Sequence, residues 1–264
     1  LSYPMAMDRF NWGYHSEPEP KLDGRRISCP RGKGLGGTSS INGMVYVRGN
    51  PHDFEEWEYL GAQGWSYRDC LPYFKRAESW VGGGDAYRGG DGPLGVCGGN
   101  DMRLNPLYRA FINAGVDAGY PETNDYNGEH QEGFGPMHMT VRNGVRESTA
   151  RAYLKPIMHR TNLKVITKAL VRRVEFDGAR ASGISVEIGG ASRIIHARRE
   201  VILAAGAIAS PMVLQRSGIG SDDDLTAAGI EQTHRLAGVG KNLQDHLEVY
   251  FQFHCKQPVS LNSK

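Results

Sequence analysis

The sequence contains few of the features that mark secreted, membrane-spanning or nucleic-acid-binding chains. Its four cysteines are widely spaced and form no C-x-x-C pair, so neither a disulfide framework nor a zinc site is predicted, and a reducing compartment fits. The formal net charge is only +2, and no block of lysine and arginine with interleaved aromatic residues is present. We therefore expect no nucleic-acid partner.

Long hydrophobic runs are also missing. The longest apolar stretch, residues 201–209, is far shorter than the roughly 20 residues that cross a bilayer. The first residues, LSYPMAMDRF, lack the charged region and cleavage site of an export signal. These absences predict no transmembrane segment and a location in the cytoplasm, with peripheral attachment to the inner membrane face as the alternative.

Glycine, by contrast, is abundant: 35 residues are typical of folds in which the backbone approaches phosphates or cofactors closely. The richest motif is RGKGLGGTS at residues 31–39, which offers unobstructed backbone N–H groups, two hydroxyl groups and two cations. This combination is able to bind a pyrophosphate, and a plain glycine-rich turn is the alternative. The motif is neither a Walker A loop nor a G-x-G-x-x-G turn that opens a helix.

Capping residues and amphipathic spacing predict a mainly helical first part. The predicted helices are residues 53–60, residues 67–79 after the N-cap Ser66, residues 106–117, and a helix that begins after Ser148 and bends near Pro156. Residues 38–47 suit either a short helix or a buried strand. Residues 82–100 are rich in glycine and aspartate, which predicts a surface loop and a border between subdomains near residue 83.

After residue 163 the pattern changes to strands. Alternating residues at 164–176, 184–188 and 193–197, separated by Asp-Gly and Gly-Gly turns, predict a three-stranded meander. The apolar run at residues 200–206 predicts a buried parallel strand, which is followed by a helix at residues 210–216. A strand, a glycine turn and a helix in this order are the unit of an open α/β sheet.

Four stretches together resemble one known family. RGKGLGGTSSINGMVYVRGNPHDFEEW (residues 31–57) and GAIASPMVLQRSGIG (residues 206–220) resemble the two signatures of the glucose-methanol-choline (GMC) oxidoreductases. NWGYHSEPEP (residues 11–20) and GVGKNLQDHL (residues 238–247) also match the family, in the family's order. The resemblance runs through nearly all 264 residues and is strongest to the bacterial members that oxidise choline.

This resemblance implies that FAD is the cofactor. Residues 36–38 would then lie against its pyrophosphate and residues 40–44 along its isoalloxazine ring. Some relatives attach FAD covalently through a histidine at the position of Ile41, so an aliphatic residue there predicts non-covalent FAD. The predicted cofactor-binding residues are Arg31, Gly36, Gly37, Thr38, Ser39, Asn42, Gly43, Met44, Val171, Ala205 and Gly206. For Val171, a simple role in the core is the alternative.

The resemblance also implies a fold and a division of the chain. The expected fold is an incomplete, Rossmann-like FAD/NAD(P)-binding α/β fold with α+β elements, a β-meander and a partial substrate-binding subdomain. Residues 1–83 and 159–250 would belong to the FAD-binding domain. Residues 84–158 would belong to the substrate-binding subdomain, and residues 251–264 would begin a further part of it.

The implied reaction is the oxidation of a primary alcohol by hydride transfer to flavin N5, with choline converted to betaine aldehyde in the synthesis of glycine betaine. Another primary alcohol and a non-catalytic flavin-binding remnant are the alternatives. The family's G-x-G-x-x-G turn and its late catalytic histidine are not in this sequence, so we expect a fragment that is inactive alone and contains no catalytic base. Neither the electron acceptor nor the oligomeric state is predicted.

The histidines leave two further hypotheses open. Asp245 and His246 form a candidate acid/base pair, but neighbours on an extended segment point to opposite faces, and relatives use this pair to shape the site. His130 and His138 lie near acidic residues without the spacing of metal ligands, so satisfied or solvent-exposed histidines are favoured over a metal site.

Overall fold

The structure, a computed structural model, describes residues 5–99, 106–246, 254–257 and 259. It divides into two compact units, one of Leu1–Val165 with His254–Lys264 and one of Ile166–Phe253. The predicted border near residue 83 lies inside the first unit, and the predicted division into domains stays a prediction.

The first unit consists of short helices and short paired strands. Its strands and α-helices are Tyr14–His15 (β1), Ser28–Cys29 (β2), Pro51–Tyr59 (α1), Tyr67–Ala77 (α2), Glu78–Trp80 (β3), Leu94–Val96 (β4), Pro106–Asp117 (α3), Val141–Arg142 (β5) and Val145–Arg146 (β6). Single turns of 3₁₀ or π helix lie at Pro20–Leu22, Gly37–Ser40, Ala150–Leu154 and Lys155–Ile157. The pairs β1–β2 and β5–β6 are antiparallel, whereas β3 and β4 are parallel.

The N-cap Ser66 correctly predicts where α2 begins, whereas α1 begins at Pro51, two residues before its predicted start. Asn50 caps α1, and the hydroxyl group of Ser66 caps α2 by accepting a hydrogen bond from the Asp69 N–H at 3.3 Å. The α2 helix ends at Ala77, slightly earlier than predicted, because the chain continues directly into β3. The helix predicted after Ser148 is a π turn followed by a 3₁₀ turn, so it is broken immediately before Pro156.

The loop between β3 and β4 differs from its prediction. Residues 82–100 were expected at the surface, but the Arg88 side chain is completely buried and Gly89 is buried beside it. The physical reason is an ion pair between Arg88 and Glu78, which draws the loop inward. Local composition is rich in glycine and aspartate, and it gives no sign of this partner.

The second unit contains the predicted meander. Strands Ala169–Asp177 (β7), Arg180–Ile188 (β8) and Ala191–His196 (β9) pair in sequence as an antiparallel sheet. Glycines with positive φ form both turns, as the sequence predicts. The helix Gly206–Arg216 (α4) packs on this sheet: the Val174 N–H of β7 donates to the buried Ser217 hydroxyl oxygen at 2.8 Å.

The predicted parallel strand at residues 200–206 is absent from the structure. Residues 201–204 have no strand structure, and Ile202 is 77% exposed. A strand needs a hydrogen-bonded neighbour, and within the described residues no strand pairs with this segment. The helix after it begins at Gly206, not at residue 210. The remaining elements of the unit are Ile219–Gly220 (β10), Asp222–Ala227 (α5) and His234–Arg235 (β11), with β10 and β11 parallel.

No described helix has both the length and the apolar character that would let it cross a membrane.

Candidate functional site

The glycine-rich loop at residues 31–39 folds into a turn with unpaired backbone donors. Gly36 and Gly37 have φ values of +88° and +51°, a left-handed conformation that glycine adopts without steric cost. The loop N–H groups that donate no hydrogen bond within the described residues include those of Gly34, Gly36 and Thr38. Unpaired backbone N–H groups on a glycine-rich turn are able to donate to an anion, so the loop fits a pyrophosphate.

Hydrogen bonds within the loop and from a distant segment hold this turn. The Gly32 N–H donates to Thr38 Oγ1 at 3.1 Å, and the Ser39 hydroxyl donates to the Gly36 carbonyl oxygen. The Thr149 N–H donates to Ser39 Oγ at 3.0 Å, and the Thr149 hydroxyl donates to the Gly36 carbonyl oxygen at 3.3 Å. The free donors are therefore presented by a fixed turn.

The segment after the loop is held in an unusual conformation. Met44 has a φ of +66°, which is uncommon for a residue with a side chain. Its N–H donates to Asn42 Oδ1 at 3.1 Å, and its carbonyl oxygen accepts from the Thr140 N–H at 2.7 Å. Val45 then forms an antiparallel bridge with Met139. These contacts keep the left-handed turn at Met44 in place.

Between the anchored residues Asn42 and Met44, the backbone at Gly43 forms an open edge that other described residues do not cover. Gly43 is exposed, and a Cβ built on it would have no heavy atom within 4 Å. Ile41, in contrast, is only 5% exposed and packs in the core. The backbone at Gly43 is therefore the side of this segment that a flat ligand is able to approach closely.

A guanidinium group contacts the same segment from the hairpin β5–β6. Arg146 Nη1 donates to the carbonyl oxygen of Ser39 at 3.2 Å and to that of Asn42 at 2.8 Å. It also reaches Asn42 Oδ1 at 2.9 Å. Arg146 and Thr149, which hold the loop from more than 100 positions away, were not predicted from the sequence, because no local pattern indicates such contacts.

Behind the segment lies a buried charge cluster, formed by Arg48, Glu78, Arg88, Asp125 and His138. Arg88 contacts both carboxylate oxygens of Glu78, and Arg48 Nη2 lies 2.7 Å from Glu78 Oε2. Arg88 Nη1 lies 2.7 Å from Asp125 Oδ1. The side chains of Glu78 and Arg88 are fully buried. A carboxylate that is shielded from water stays ionised only when such cationic partners compensate its charge.

The cluster also fixes the path of the segment. The Tyr46 N–H donates to the His138 carbonyl oxygen at 2.8 Å. Asn127 Nδ2 donates to the Tyr46 carbonyl oxygen at 3.0 Å, and Asn127 Oδ1 accepts from the Arg48 N–H at 2.8 Å. The backbone that follows Met44 is therefore hydrogen-bonded at Tyr46 and Arg48 to His138 and Asn127, which are themselves in contact within the cluster.

The surroundings of His138 require a neutral imidazole ring. Its Nδ1 lies 3.2 Å from Arg88 Nη1 and 3.3 Å from Asn127 Nδ2, and both of these groups are donors, so Nδ1 accepts. Its Nε2 lies 3.3 Å from the Asn124 carbonyl oxygen and donates to it. Burial lowers the pKa of His138, and the Arg88 guanidinium lowers it further.

This arrangement predicts that mild acid destabilises the first unit. Because the pKa of His138 is lower in the folded than in the unfolded chain, the unfolded chain binds the proton more readily below the ordinary value of about 6.5. The midpoint of thermal unfolding should therefore fall as the pH drops below about 6.5. His138→Gln, which keeps one acceptor and one donor without a titratable group, should make this pH dependence weaker. An equally steep dependence in the variant would contradict the role of His138.

Of the other predicted cofactor-binding residues, Arg31 lies in the first unit, where its N–H donates to Asn11 Oδ1 at 2.9 Å. Val171, Ala205 and Gly206 belong to the second unit. Val171 is half-buried in β7 opposite Val186. The Ala205 N–H donates to Ser210 Oγ at 3.0 Å. Gly206 has a φ of +88°, and a Cβ built on it would meet no heavy atom within 4 Å. Backbone at Gly206 is thus open to close approach, as the sequence predicts for a glycine at this position.

The histidines of the two remaining hypotheses lie in different surroundings. Asp245 and His246 are both exposed, and the His246 N–H donates to Asp245 Oδ1 at 3.0 Å. His130 is exposed, whereas His138 is buried in the charge cluster. No group of ligating side chains suited to a metal ion occurs in the described parts of the chain.

Comparison with known proteins identifies the family. Residues 14–248 match the sequence profile described as GMC oxidoreductase. The chain belongs to the GMC oxidoreductase family. The match covers both predicted signatures and the meander between them, and it includes the loop, Arg146 and the buried charge cluster.

Relatives and structural neighbours of this GMC chain agree with that assignment. An "oxygen-dependent choline dehydrogenase" from Vibrio vulnificus is 59% identical over 264 residues, which are 100% of this chain and 47% of the relative. Pyridoxine 4-oxidase from Mesorbium loti has a TM-score of 0.87 at 35% identity, over 93% of this chain and 48% of that protein. An FAD-dependent oxidoreductase from Chaetomium thermophilum has a TM-score of 0.83 at 30% identity, over 89% and 43%.

The chain therefore spans about half the length of the curated relatives it matches. The predicted GMC family, its mixed α/β fold class and the oxidoreductase class are confirmed. The residue-by-residue assignment of the cofactor site stays a prediction.

Proposed function

We propose that this chain forms the flavin-contacting part of an enzyme that binds FAD without a covalent bond and oxidises a primary alcohol. Choline is the first candidate for this alcohol. One observation carries the proposal. The loop at residues 31–39 holds the unpaired N–H groups of Gly34, Gly36 and Thr38 on a turn fixed by Thr149. Such donors stabilise the oxyanions of a pyrophosphate.

Several features support FAD as the group that is bound. The neighbour from Chaetomium thermophilum is described as FAD-dependent. Another structural neighbour, formate oxidase from Aspergillus oryzae, is described in terms of the modification of its FAD. In this chain, the open edge at Gly43 follows the glycine-rich turn, an order that suits a dinucleotide with a flat ring system. Ile41 is buried and aliphatic, so it offers no atom for a covalent bond to the flavin.

In this proposal the residues of the chain bind and orient, and bound FAD supplies the hydride acceptor. The loop N–H groups hold the pyrophosphate, and the cation of Lys33, which lies over the Trp12 ring, adds positive charge at the loop. Asn42 and Met44 keep the backbone beside the ring system in one conformation. Arg31, Gly37 and Ser39, in the same unit as the loop, complete the part of the proposed site that this unit supplies. Val171, Ala205 and Gly206 stay predicted cofactor-binding residues of the second unit.

Choline is the proposed substrate because curated relatives of this chain, among them the one from Vibrio vulnificus, are described as oxygen-dependent choline dehydrogenases. A different alcohol is the second candidate, since a structural neighbour is named for pyridoxine. The four cysteines are free thiols in the structure, which suits the proposed cytoplasmic location.

Titration with FAD and an alcohol screen test the proposal. Purified protein that contains this chain should quench the fluorescence of added FAD with saturable binding, and denaturation should release the FAD unmodified. The holoprotein should then reduce an artificial dye faster with choline than with pyridoxine or simple primary alcohols. Bound FAD with no turnover of choline would remove choline as the substrate. Failure to bind FAD at all would remove the proposal.

A further inference from the structure

Arg146 carries a positive charge that no described carboxylate compensates. The acidic residue next to it in sequence, Glu147, is buried and already binds two other guanidinium groups, those of Arg142 at 3.2 Å and Arg151 at 3.0 Å. The three hydrogen bonds of Arg146 Nη1 all go to neutral oxygens of Ser39 and Asn42. Its charge is therefore not balanced by any described side chain.

This charge is not a freely moving surface charge. Arg146 lies on the hairpin β5–β6, whose turn of Asn143 and Gly144 has φ values of +51° and +73°. The side chain is half-buried, and burial lowers the pKa of its guanidinium from the ordinary value. That ordinary value is so far above neutrality that the group remains protonated. The hairpin and the three hydrogen bonds thus hold one full positive charge against the segment from Ser39 to Asn42.

We propose that Arg146 is a positioning residue whose fixed charge raises the reduction potential of the flavin, an inference that rests on the proposed function. The segment it binds includes Asn42 and leads directly to the open edge at Gly43, where the proposal places the ring system. Oxidised flavin takes up two electrons and one proton to give the anionic reduced form. A nearby positive charge that is weakly screened stabilises this anion relative to the neutral oxidised ring.

The effect differs from that of the buried charge cluster. In the cluster, the positive charges of Arg48 and Arg88 are matched by the carboxylates of Glu78 and Asp125, so little net field is left. Arg146 has no such match. Among these arginines, it is the one that hydrogen-bonds Asn42, the residue before the open edge.

Redox titration of three variants tests the proposal. Arg146→Gln keeps a donor for the Asn42 oxygens but removes the charge, and Arg146→Lys keeps the charge. Arg142→Gln is the matched control, because Arg142 lies on the same hairpin but pairs with Glu147. The two-electron midpoint potential of the bound FAD is measured in each holoprotein against a reference dye.

In Arg146→Gln the preference for reduced over oxidised FAD should fall about tenfold, which is about 30 mV for a two-electron couple. The potentials of Arg146→Lys and Arg142→Gln should stay within about 10 mV of the wild type, about a twofold change. If Arg146→Gln does not fold, the potential of Arg146→Lys decides. A potential within about 10 mV of the wild type supports the role of the charge, whereas a fall of about 30 mV with the charge retained overturns the proposal. An unchanged potential in Arg146→Gln also overturns it.

These outcomes are separable from failure of the proposed function. Wild-type protein that binds no FAD overturns the proposed function itself. Protein that binds FAD normally but shows the same potential with and without the Arg146 charge overturns only the role of this residue.

Discussion

Replacing Glu78 by glutamine is expected to lower the free energy of unfolding of the first unit by about 3–5 kcal/mol. Glutamine preserves the volume of the side chain but leaves the guanidinium groups of Arg48 and Arg88 without the carboxylate that both of them contact. These side chains are 2% and 0% exposed, so water is unable to replace the lost partner. A buried charge that loses its partner costs far more than the pair contributes when it is intact.

Glu122→Gln is the matched control for this prediction. Glu122 pairs with Arg109 at 2.9 Å, but these side chains are 37% and 52% exposed. Removal of the charge should cost less than about 1 kcal/mol there, because water and salt already screen the pair. Urea unfolding followed by tryptophan fluorescence suits the comparison, since all four tryptophans lie in the first unit. Equal costs for the two variants would contradict the proposed importance of burial.

The second large effect is expected at Gly32. A Cβ on Gly32 would lie 2.2 Å from the Gly37 carbonyl oxygen and 2.6 Å from the Thr38 nitrogen. Gly32→Ala must therefore displace the turn that presents the free N–H groups. Overpacking of this kind costs about 1–3 kcal/mol, so affinity for FAD should fall by about tenfold to a hundredfold. A fluorescence titration with FAD measures the change.

Gly43→Ala distinguishes two causes of lost FAD affinity, a displaced loop and a sterically blocked site. The structure has no heavy atom within 4 Å of the added methyl group, so the thermal stability of the protein without cofactor should not change. Its affinity for FAD should nevertheless fall, because the methyl group projects from the edge that the ring system is proposed to approach. Unchanged affinity in Gly43→Ala would show that the flavin lies elsewhere, even if Gly32→Ala abolishes binding.

Local interactions account for the parts of the fold that the sequence predicts well. Ser66 caps α2 through a residue three positions away, and each turn of the meander contains glycine with a positive φ. These features depend on side chains and backbone within a few residues of each other. The family signatures extend the prediction to the loop at residues 31–39, whose turn has unpaired N–H donors and whose role at a pyrophosphate stays a prediction.

The features that the sequence does not predict depend on distant partners. Arg88 is buried because of Glu78 and Asp125, although its neighbours in sequence are typical of a surface loop. Arg146 reaches Asn42 across 104 positions. The apolar run at residues 201–204 has the composition of a strand but finds no pairing strand in the described structure. Composition gives the tendency of a segment, whereas its partners decide the outcome.

The bond between Thr149 and the turn at Ser39 has a consequence for synthesis of the protein. These residues are 110 positions apart, so the turn receives its support only after the ribosome has released the chain beyond Thr149. Bringing such distant residues together is slow compared with the formation of a single helix. A nascent chain that ends before Thr149 contains the glycine-rich motif without the hydrogen bonds that hold its turn. Binding of the cofactor at this turn therefore requires the later residues to be synthesised first.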